Sequence, residues 1–431
     1  MRILLLSTFL LGHLLVQAQG NNILLDQNFW KNKPTLAAVK EAVVAGNNPA
    51  ELNAMKFDPL TLAINNSAPE AIVSYLLEQE GNPVSKQTNH DRTYLHWASA
   101  RGNAAVVELL LSKGVDIQAK DSHLDPPLVF AANAGMANPA VYELYRRKGV
   151  DLKQRNKNGA SYLMLGIAND SDFALTDYLL KQGLSLSDTD HDGATLFDYA
   201  ARTGNITTMK ALLQKGVQPT AQALVMAVRG TRRAVNGPEV FTYLIDELKL
   251  DPNARNPRGE SALTAAVAAG NSAMVKLMMS YKADVQVRDN NGNHLGYYLI
   301  QSYRPPRPGM GGPAPTDEFT TILNLLTAAG LEVSATMPDG NTLLHLAAQK
   351  GSRDLFSKLS SLNIDINAKN KEEMTVLHKI ALTAQDDSLL KQLLSAGADK
   401  TIETEFGETA YDLAVGNEYL RTNKVDLEFL K

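Results

Sequence analysis

Three histidines stand at the same place in three similar segments of the sequence. His96, His345 and His378 each lie three residues after a threonine, in Thr-Tyr-Leu-His, Thr-Leu-Leu-His and Thr-Val-Leu-His. An imidazole can ligate a metal or act as a base. A metal site needs several ligands that converge on one point, whereas these histidines belong to segments spaced along the chain. We therefore expect a structural role for them and no metal site.

Residues 188–193, Asp-Thr-Asp-His-Asp-Gly, match the opening of a calcium-binding loop. Calcium takes six or more oxygen ligands, and such a loop closes with a bidentate acid at its twelfth position. Here the twelfth position is Tyr199, which supplies no carboxylate. An acidic turn without an ion is therefore the favoured interpretation, and a calcium site is the alternative.

The sequence contains none of the short motifs that identify common catalytic sites. A phosphate-binding loop, H-E-x-x-H, G-x-S-x-G and the dinucleotide glycine pattern are all missing. Carboxylates and serines are numerous but scattered. We predict that the protein is not an enzyme and has neither a catalytic residue nor a cofactor; a hydrolase with an unrecognised site is the weaker alternative.

A segment of 33 residues, 338–370, is the unit from which most of the chain is built. Asp339-Gly340 predicts a turn, because glycine tolerates a positive φ. Thr342 can cap the short apolar helix that follows, and Gly351 ends it. A second apolar helix completes the unit. Two helices this short cannot bury their apolar faces alone, so copies of the unit must stack.

The unit recurs at eleven places, and most steps between copies are 33–35 residues long. The residues that align with Leu344 of the unit mark the copies. They are Leu60, Leu95, Leu128, Leu163, Phe197, Leu224, Leu263, Gly296, Leu344, Leu377 and Tyr411. An array of this kind grows by adding units to one continuous core.

These segments resemble the ankyrin repeat. The resemblance rests on residues 340–348, Gly-Asn-Thr-Leu-Leu-His-Leu-Ala-Ala, and on Ala-Gly-Ala-Asp at residues 396–399. His345 and His378 occupy the histidine of the family's Thr-Pro-Leu-His motif, although a leucine and a valine replace its proline.

The resemblance covers residues 34–431 and implies an all-α fold. The fold would be a single ankyrin-repeat solenoid of about eleven helix-turn-helix units, with capping helices and short turn tips. It also implies that the motif histidines bond the backbone of turns between adjacent repeats. Protein binding is the activity that the resemblance implies.

Residues 1–18 have the three parts of a secretory signal peptide. Arg2 gives the positive start, residues 3–16 are apolar, and Val16-Gln17-Ala18 offers small residues before a cut. We expect the mature chain to start at Gln19, with a leader over residues 19–33. The sequence has no cysteine, which favours a bacterial periplasm or the outside surface. The expected location is therefore periplasmic or secreted.

The net charge of the chain is −4 at pH 7. Proteins that bind nucleic acid through bulk charge are basic, so we expect no nucleic-acid partner. After the signal peptide, no run of apolar residues reaches the length of about 20 that spans a bilayer. We expect a monomer with no stable membrane insertion.

Two long steps interrupt the array. The step from Leu224 to Leu263 is 39 residues, and its extra length falls at residues 229–238. The step from Gly296 to Leu344 is 48 residues, and its extra length falls at residues 303–316. Both inserts lie between the two helices of a unit and both carry arginines. Because insertions in repeat arrays map to loops on one face, often the binding face, we expect partner contacts there.

An aromatic residue occupies one repeat position in four units, at Trp97, Phe130, Tyr199 and Tyr298. The 338–370 unit has a leucine at this position, which favours packing between repeats. A ligand groove lined with aromatic rings is the alternative.

We predict a non-catalytic scaffold that is exported from the cytoplasm and binds a protein partner through a concave face and the inter-helix loops. The alternative is a periplasmic protective or stability factor for an exported enzyme. The expected contact residues lie at exposed turns and between helices, where guanidinium groups can pair with carboxylates. They are Asp121, His191, Arg202, Arg229, Arg232, Arg233, Arg258, Arg304, Arg307 and Lys350.

Overall fold

The computed structural model describes residues 22–231, 235–305 and 317–431. The predicted signal peptide, residues 232–234 of the first insert and residues 306–316 of the second insert lie outside these residues. The part of the chain so described is helical; its extended pairing is limited to three isolated β-bridges, including Gln87 with Thr93 and Arg155 with Ser161.

Twenty-four α-helices occur in the described ranges, together with four short 3₁₀ turns and one π-helical turn. They are α1 (Gln27–Lys31), α2 (Leu36–Val44), α3 (Pro59–Asn65), α4 (Glu70–Leu77), α5 (Tyr94–Ala100), α6 (Ala104–Ser112), α7 (Pro127–Asn133), α8 (Pro139–Arg147), α9 (Tyr162–Gly166), α10 (Ala174–Lys181), α11 (Leu196–Arg202), α12 (Ile206–Gln214), α13 (Gln222–Arg229), α14 (Pro238–Phe241), α15 (Ala262–Ala268), α16 (Ser272–Ser280), α17 (Leu295–Ser302), α18 (Glu318–Ala328), α19 (Leu343–Gln349), α20 (Arg353–Leu359), α21 (Val376–Thr383), α22 (Ser388–Ser395), α23 (Ala410–Gly416) and α24 (Glu418–Thr422).

After α1 and α2, these helices form eleven pairs that follow one another along the chain, from α3/α4 to α23/α24. We call the first helix of each pair the inner helix and the second the outer helix. Every residue that marks a repeat lies in an inner helix. Inner helices pack side by side, α3 on α5 and α5 on α7, and again from α11 through α13, α15, α17, α19 and α21 to α23. The predicted all-α solenoid is confirmed.

Threonine, asparagine, serine or aspartate is the N-cap residue of most of these helices. Thr342 Oγ1 accepts a hydrogen bond from the His345 N–H, and His345 Nδ1 accepts one from the Thr342 N–H. Outer helices begin at asparagines such as Asn103 and Asn271, whose side chains accept from a backbone N–H three residues on. Each cap satisfies an N–H that the helix leaves without a partner, so the sequence fixes where the helix begins.

The chain divides into two compact units. Unit 1 comprises residues 1–154 and 172–183, and unit 2 comprises residues 155–171 and 184–431. In unit 1 the indole of Trp30 is 1% exposed and donates to the Leu24 carbonyl at 2.7 Å. Helix α1, which carries Trp30, packs on α3, so the leader belongs to the core of unit 1.

The core of unit 2 contains the irregular repeats. Helix α13 is buried along residues 222–228, and its partner α14 continues into a π-helical turn, Thr242–Glu247. The first insert begins where α13 ends, at Arg229. The second insert begins directly after α17 ends, at Ser302. Both inserts thus lie between an inner helix and its outer helix.

The end of α17 and the start of α18 are tied to α20. The Tyr303 hydroxyl donates to Asp354 at 2.8 Å, and Lys358 forms ion pairs with Asp317 and Asp354. Tyr303 and Asp317 are therefore both held against α20. In the described ranges, no helix has both the length and the apolar character needed to cross a membrane.

Candidate interaction surfaces

A tight hairpin precedes most inner helices, and all these hairpins share one bonding pattern. In residues 156–160, the Asn156 N–H donates to the Ala160 carbonyl at 3.0 Å and the Gly159 N–H donates to the Asn156 carbonyl at 2.8 Å. Equivalent hairpins start at Asn53, Thr88, Asp121, Asp190, Asn256, Asp289, Met337, Asn370 and Thr404. The fourth residue of each has a positive φ, and we call it the tip residue.

The motif histidines join one repeat to the next hairpin. Thr93 Oγ1 lies 2.9 Å from His96 Nδ1, and the other ring nitrogen of His96 lies 3.2 Å from the Asp125 carbonyl. The matching contacts of His345 and His378 are with the Met374 and Ile402 carbonyls. Burial lowers the pKa of His96 to about 4, which keeps its ring neutral. These are the backbone contacts that the family resemblance implies.

One hairpin is missing between α12 and α13. The repeat step from Phe197 to Leu224 is 27 residues long, and Thr220 lies where other repeats have the hairpin. Asp198, which stands at the histidine position of α11, accepts from the Thr220 N–H at 3.0 Å and from the Thr220 hydroxyl at 2.6 Å. The row of hairpins in unit 2 is therefore interrupted between residues 190–194 and residues 256–260.

Neighbouring hairpins bond through their backbones, and the gap changes this bonding. The His191 N–H donates to the Asn158 carbonyl, and the Asn290 N–H donates to the Arg258 carbonyl. The equivalent donor position in the hairpin after the gap is Pro257. Proline has no N–H, so the missing hairpin leaves no donor without a partner at this position.

Charged side chains bridge the gap. Arg258 Nη1 lies 2.7 Å from Asp192 Oδ2, 66 residues away in the chain, and Arg258 Nε lies 3.2 Å from Glu260 Oε2. The same carboxylate accepts from Arg229 Nη2 at 2.7 Å. We call Asp192, Arg229, Arg258 and Glu260 the arginine network. Burial raises the pKa of Glu260, but Asn256 and the two guanidinium groups outweigh it, so the pKa lies below its usual range.

The predicted contact residues of unit 2 are distributed along these elements. His191 is exposed in its hairpin, and exposed Arg202 donates to the Gly230 carbonyl at 3.0 Å. Arg304 is exposed and donates to the Gln301 and Tyr303 carbonyls. The structure brings Arg229 and Arg258 together in the arginine network. Arg232, Arg233 and Arg307 lie outside the described residues.

Lys350 lies on a groove between α19/α20 and α21/α22. The groove has a volume of about 500 Å³ and is lined by Lys350, Arg353, Ile380 and Asp386, among others. Its lining mixes apolar side chains, including Ile380 and Leu389, with charges of both signs. The groove is thus another place where a partner's side chain could be held in unit 2.

Asp121 does not lie at an exposed turn, contrary to our expectation. It is 3% exposed, and its Oδ2 lies 2.9 Å from Arg92 Nε, whose side chain is 10% exposed. Its other oxygen accepts from the His123 and Asp125 N–H groups. A buried carboxylate needs such hydrogen-bond partners. Here they occupy both oxygens of Asp121, which a binding protein would otherwise contact.

The aromatic residues at this repeat position pack between repeats and also form part of the surface. In unit 1 the ring of Trp97 is 5.5 Å from that of Phe57 and 5.6 Å from that of Phe130, edge to face in both pairs. The Arg92 guanidinium lies 4.2 Å from the centre of the Phe130 ring. Trp97 and Phe130 are half-buried, so each ring packs between repeats and also shows one edge to solvent.

In unit 2 the same position holds tyrosines that bond to hairpin acids. The Tyr199 hydroxyl donates to Asp190 at 3.0 Å, and the Tyr298 hydroxyl donates to Asp289 at 2.7 Å. Burial and the nearby carboxylates raise the pKa of both phenols. All three acids of the calcium-like motif therefore have protein partners, Asp188 through Arg155, Asp190 through Tyr199 and Asp192 through Arg258. Within the described ranges, no group of three or more candidate ligands is arranged to hold a metal ion.

Sequence reasoning missed the acidic half of the arginine network and the character of the tips. Asp192 and Glu260 were visible as acids at hairpins, but only the missing hairpin brings Asp192 to Arg258. The tip residues had a clearer signal. Aligned with Gly340 of the 338–370 unit, some copies lack glycine, as at Lys56, Asp91 and Leu124.

Family models for ankyrin repeats match most of the chain. A model of three ankyrin repeats matches residues 30–121, 128–223, 317–404 and 344–425, and a model of a single ankyrin repeat matches residues 258–290. The matches include the repeats on both sides of the missing hairpin.

Similar proteins include an E3 ubiquitin-protein ligase, KEG, of Arabidopsis thaliana, 25% identical over 337 residues, which are 77% of this chain and 18% of the ligase. Human transient receptor potential cation channel subfamily A member 1 is 30% identical over 33% of this chain and 13% of the channel. The chicken nuclear factor NF-kappa-B p105 subunit is 37% identical over 22% of this chain and 10% of that protein.

The chain spans less than a fifth of each of these relatives, so the likeness concerns their repeats and carries no activity of the whole proteins. The hairpins, the Thr-to-His caps and the paired helices agree with the family matches. The chain belongs to the ankyrin repeat family.

Proposed function

We propose that the chain is a non-catalytic scaffold that binds a protein partner through the hairpin side of unit 2. The arginine network carries this proposal. Its two guanidinium groups are held by carboxylates at distances of 2.7–3.2 Å, yet Arg229 and Arg258 keep 41% and 47% of their side-chain surface exposed. They are both fixed and accessible.

A fixed guanidinium suits a partner's carboxylate. Arginine binds carboxylates with two parallel hydrogen bonds, and a side chain already held in place loses little entropy when it binds. His191 lies in the hairpin before α11, Arg202 is the last residue of α11, and both are exposed. We infer a partner surface that carries acidic side chains and meets unit 2 near the missing hairpin.

Comparison of matched arginine variants tests the proposal. Tagged wild-type chain, an Arg229→Ala/Arg258→Ala variant and an Arg146→Ala/Arg147→Ala control would capture partners from an extract, with quantitative mass spectrometry as the readout. The control arginines are exposed on outer helix α8 and paired with Glu143. We expect about tenfold less capture by the first variant, because interface arginines often dominate binding, and no change in the control.

Equal capture by both variants would contradict a role for the network, provided that circular dichroism shows that both variants are folded. A third variant replaces the five insert arginines, Arg229, Arg232, Arg233, Arg304 and Arg307, with alanine. Capture that is lost in this variant alone would move the contact from the hairpins to the inserts.

We further propose that the chain is exported and acts in the periplasm or outside the cell. The support is the tripartite pattern of residues 1–18 together with the absence of cysteine from the sequence. Expression of the full chain in a bacterium, followed by mass measurement of the protein from each fraction, tests this proposal. We expect a periplasmic product that begins at Gln19; an uncleaved cytoplasmic product would contradict export.

A further inference from the structure

The hairpin tips of unit 1 differ from those of unit 2 in the described ranges. All three tip residues of unit 1 carry side chains: Lys56, Asp91 and Leu124, with φ between 57° and 67°. Glycine is the tip residue in six of the seven hairpins of unit 2, and Glu373 is the exception. A side chain at positive φ costs folding free energy, so its use at every tip of unit 1 indicates a gain elsewhere.

Two large apolar side chains are exposed at these hairpins. Leu124 is 72% exposed, and Met55, next to the first tip, is 63% exposed. Between them the rings of His90 and His123 lie 5.2 Å apart. Apolar side chains grouped at a surface are typical of sites that bind another protein.

A row of aromatic rings lies on the first hairpin and on inner helices α5 and α7 of the same three repeats. Phe57, Trp97 and Phe130 form a continuous edge-to-face row across three repeats. Arg92 stacks on the Trp97 and Phe130 rings, and its buried ion pair with Asp121 holds the guanidinium against them. We call the three tips, Met55 and this row the unit 1 patch.

Charge at the two ends of the unit 1 patch is positive. Lys56 at the first hairpin and Lys120 just before the third are exposed, and neither forms an ion pair with a described residue. Asp91 carries a negative charge between them. A complementary ligand places carboxylates at its ends and apolar side chains over the rings.

We propose that the unit 1 patch binds an extended, apolar segment of a partner protein that carries a carboxylate near each end. This inference rests on the proposed scaffold function and adds a second contact with stated chemistry. Three neighbouring inner helices span about 20 Å at about 10 Å a step, and an extended chain covers that length with about six residues.

A displayed library of random peptides of about twelve residues, twice the spanning length, supplies the probe. Selection uses the full chain, and the affinity of a selected synthetic peptide is then measured by titration. We expect enrichment of apolar segments flanked by aspartate or glutamate. Leu124→Gly should weaken the peptide about tenfold and also raise the urea midpoint of unfolding, because glycine removes both the contact and the strained backbone.

Glu373→Gly is the matched control, since it relieves the same strain at a tip of unit 2. It should raise the unfolding midpoint and leave peptide affinity unchanged. Peptides that bind Leu124→Gly as tightly as wild type, or an enrichment of basic or uncharged polar peptides, would overturn the proposal. Failure of the library to enrich any sequence would overturn it as well.

Two further measurements distinguish this proposal from binding through unit 2 and from binding of a second copy of the chain. The Arg229→Ala/Arg258→Ala variant should bind the peptide normally, so a failed capture through unit 2 and a failed peptide contact at unit 1 are distinguishable. Sedimentation tests for a second copy as the occupant. A dimer that Leu124→Gly abolishes would replace the partner segment with another copy of this chain and overturn the proposal.

Discussion

Arg92 and Asp121 show how single residues are constrained in this fold. Their side chains are 10% and 0% exposed, and the carboxylate accepts from two backbone N–H groups besides the guanidinium. The three motif histidines, His96, His345 and His378, and His294, the N-cap residue of α17, are also buried and have lowered pKa values. At this scale, polar groups that resemble functional residues hold hairpins in place.

Removal of Arg92 should therefore be costly. Arg92→Ala leaves the Asp121 carboxylate buried without its cation, and such losses typically cost about 3–5 kcal/mol. Urea unfolding followed by tryptophan fluorescence reports on unit 1, because both tryptophans, Trp30 and Trp97, lie there. The exposed Arg146→Ala serves as a control with little expected change. Equal midpoints for the two variants would show that the buried pair is not stabilising.

The buried histidine predicts a pH dependence of unit 1. The pKa of His96 is about 4 in the folded chain and near 6.5 when unfolded. Above pH 6.5 the ring is neutral in both states, so stability does not depend on it. As the pH falls from 6.5 towards 4, the unfolded state binds the proton first and the free energy of unfolding drops.

The drop should amount to about 2 kcal/mol between pH 7 and pH 5, at about 1.4 kcal/mol for each pH unit. His96→Gln should remove most of this dependence from the tryptophan-detected transition. His90 and His123 are unchanged in both proteins, so the difference isolates His96. A variant that retains the full wild-type dependence would contradict this origin.

At the scale of elements, the hairpins decide how repeats join. Gly159 illustrates the constraint: its φ is 79°, and a Cβ there would lie 2.3 Å from Cδ2 of the His191 ring. Gly193 is the tip of the next hairpin and has open space around the same position. The two tips therefore differ only in whether the following hairpin packs against them, which the missing hairpin explains.

This difference predicts unequal costs for the same substitution. Gly193→Ala should lose about 1 kcal/mol, from the positive φ alone. Gly159→Ala should lose clearly more, because the His191 ring must also move. Thermal or urea unfolding of unit 2 compares them, and His191→Ala should recover part of the extra loss. Equal losses at the two glycines would contradict tight packing between these hairpins.

Much of the arrangement of the helices could be predicted from the sequence. Apolar spacing, Thr caps and the Gly after several inner helices, such as Gly351, predicted the helical pairs, because these signals are local. The Asp192–Arg258 contact could not be predicted, since it joins residues 66 positions apart across an absent hairpin. Asp121 was predicted to be exposed because its turn position is usually exposed; its burial depends on Arg92 from the preceding hairpin.

At the scale of the whole molecule, ankyrin repeats provide two units whose hairpin sides differ. Unit 1 offers exposed Leu124 and Met55 at its hairpins together with a row of aromatic rings, and unit 2 offers arginines held by acids. The fold class and its broad role in protein binding follow from the repeat. The location of the contacts follows from departures from the repeat, because regular positions are occupied by packing between neighbours.

The central claim is that a partner binds the hairpin side and the inner helices, and not the outer helices. Hydrogen–deuterium exchange of the mature chain, with and without the captured partner, tests it directly. We predict slower exchange in residues 190–194 and 256–260 and at the end of α13, with outer helices α12 and α16 unchanged. Protection confined to those outer helices, with the hairpins exchanging as in the free chain, would contradict it.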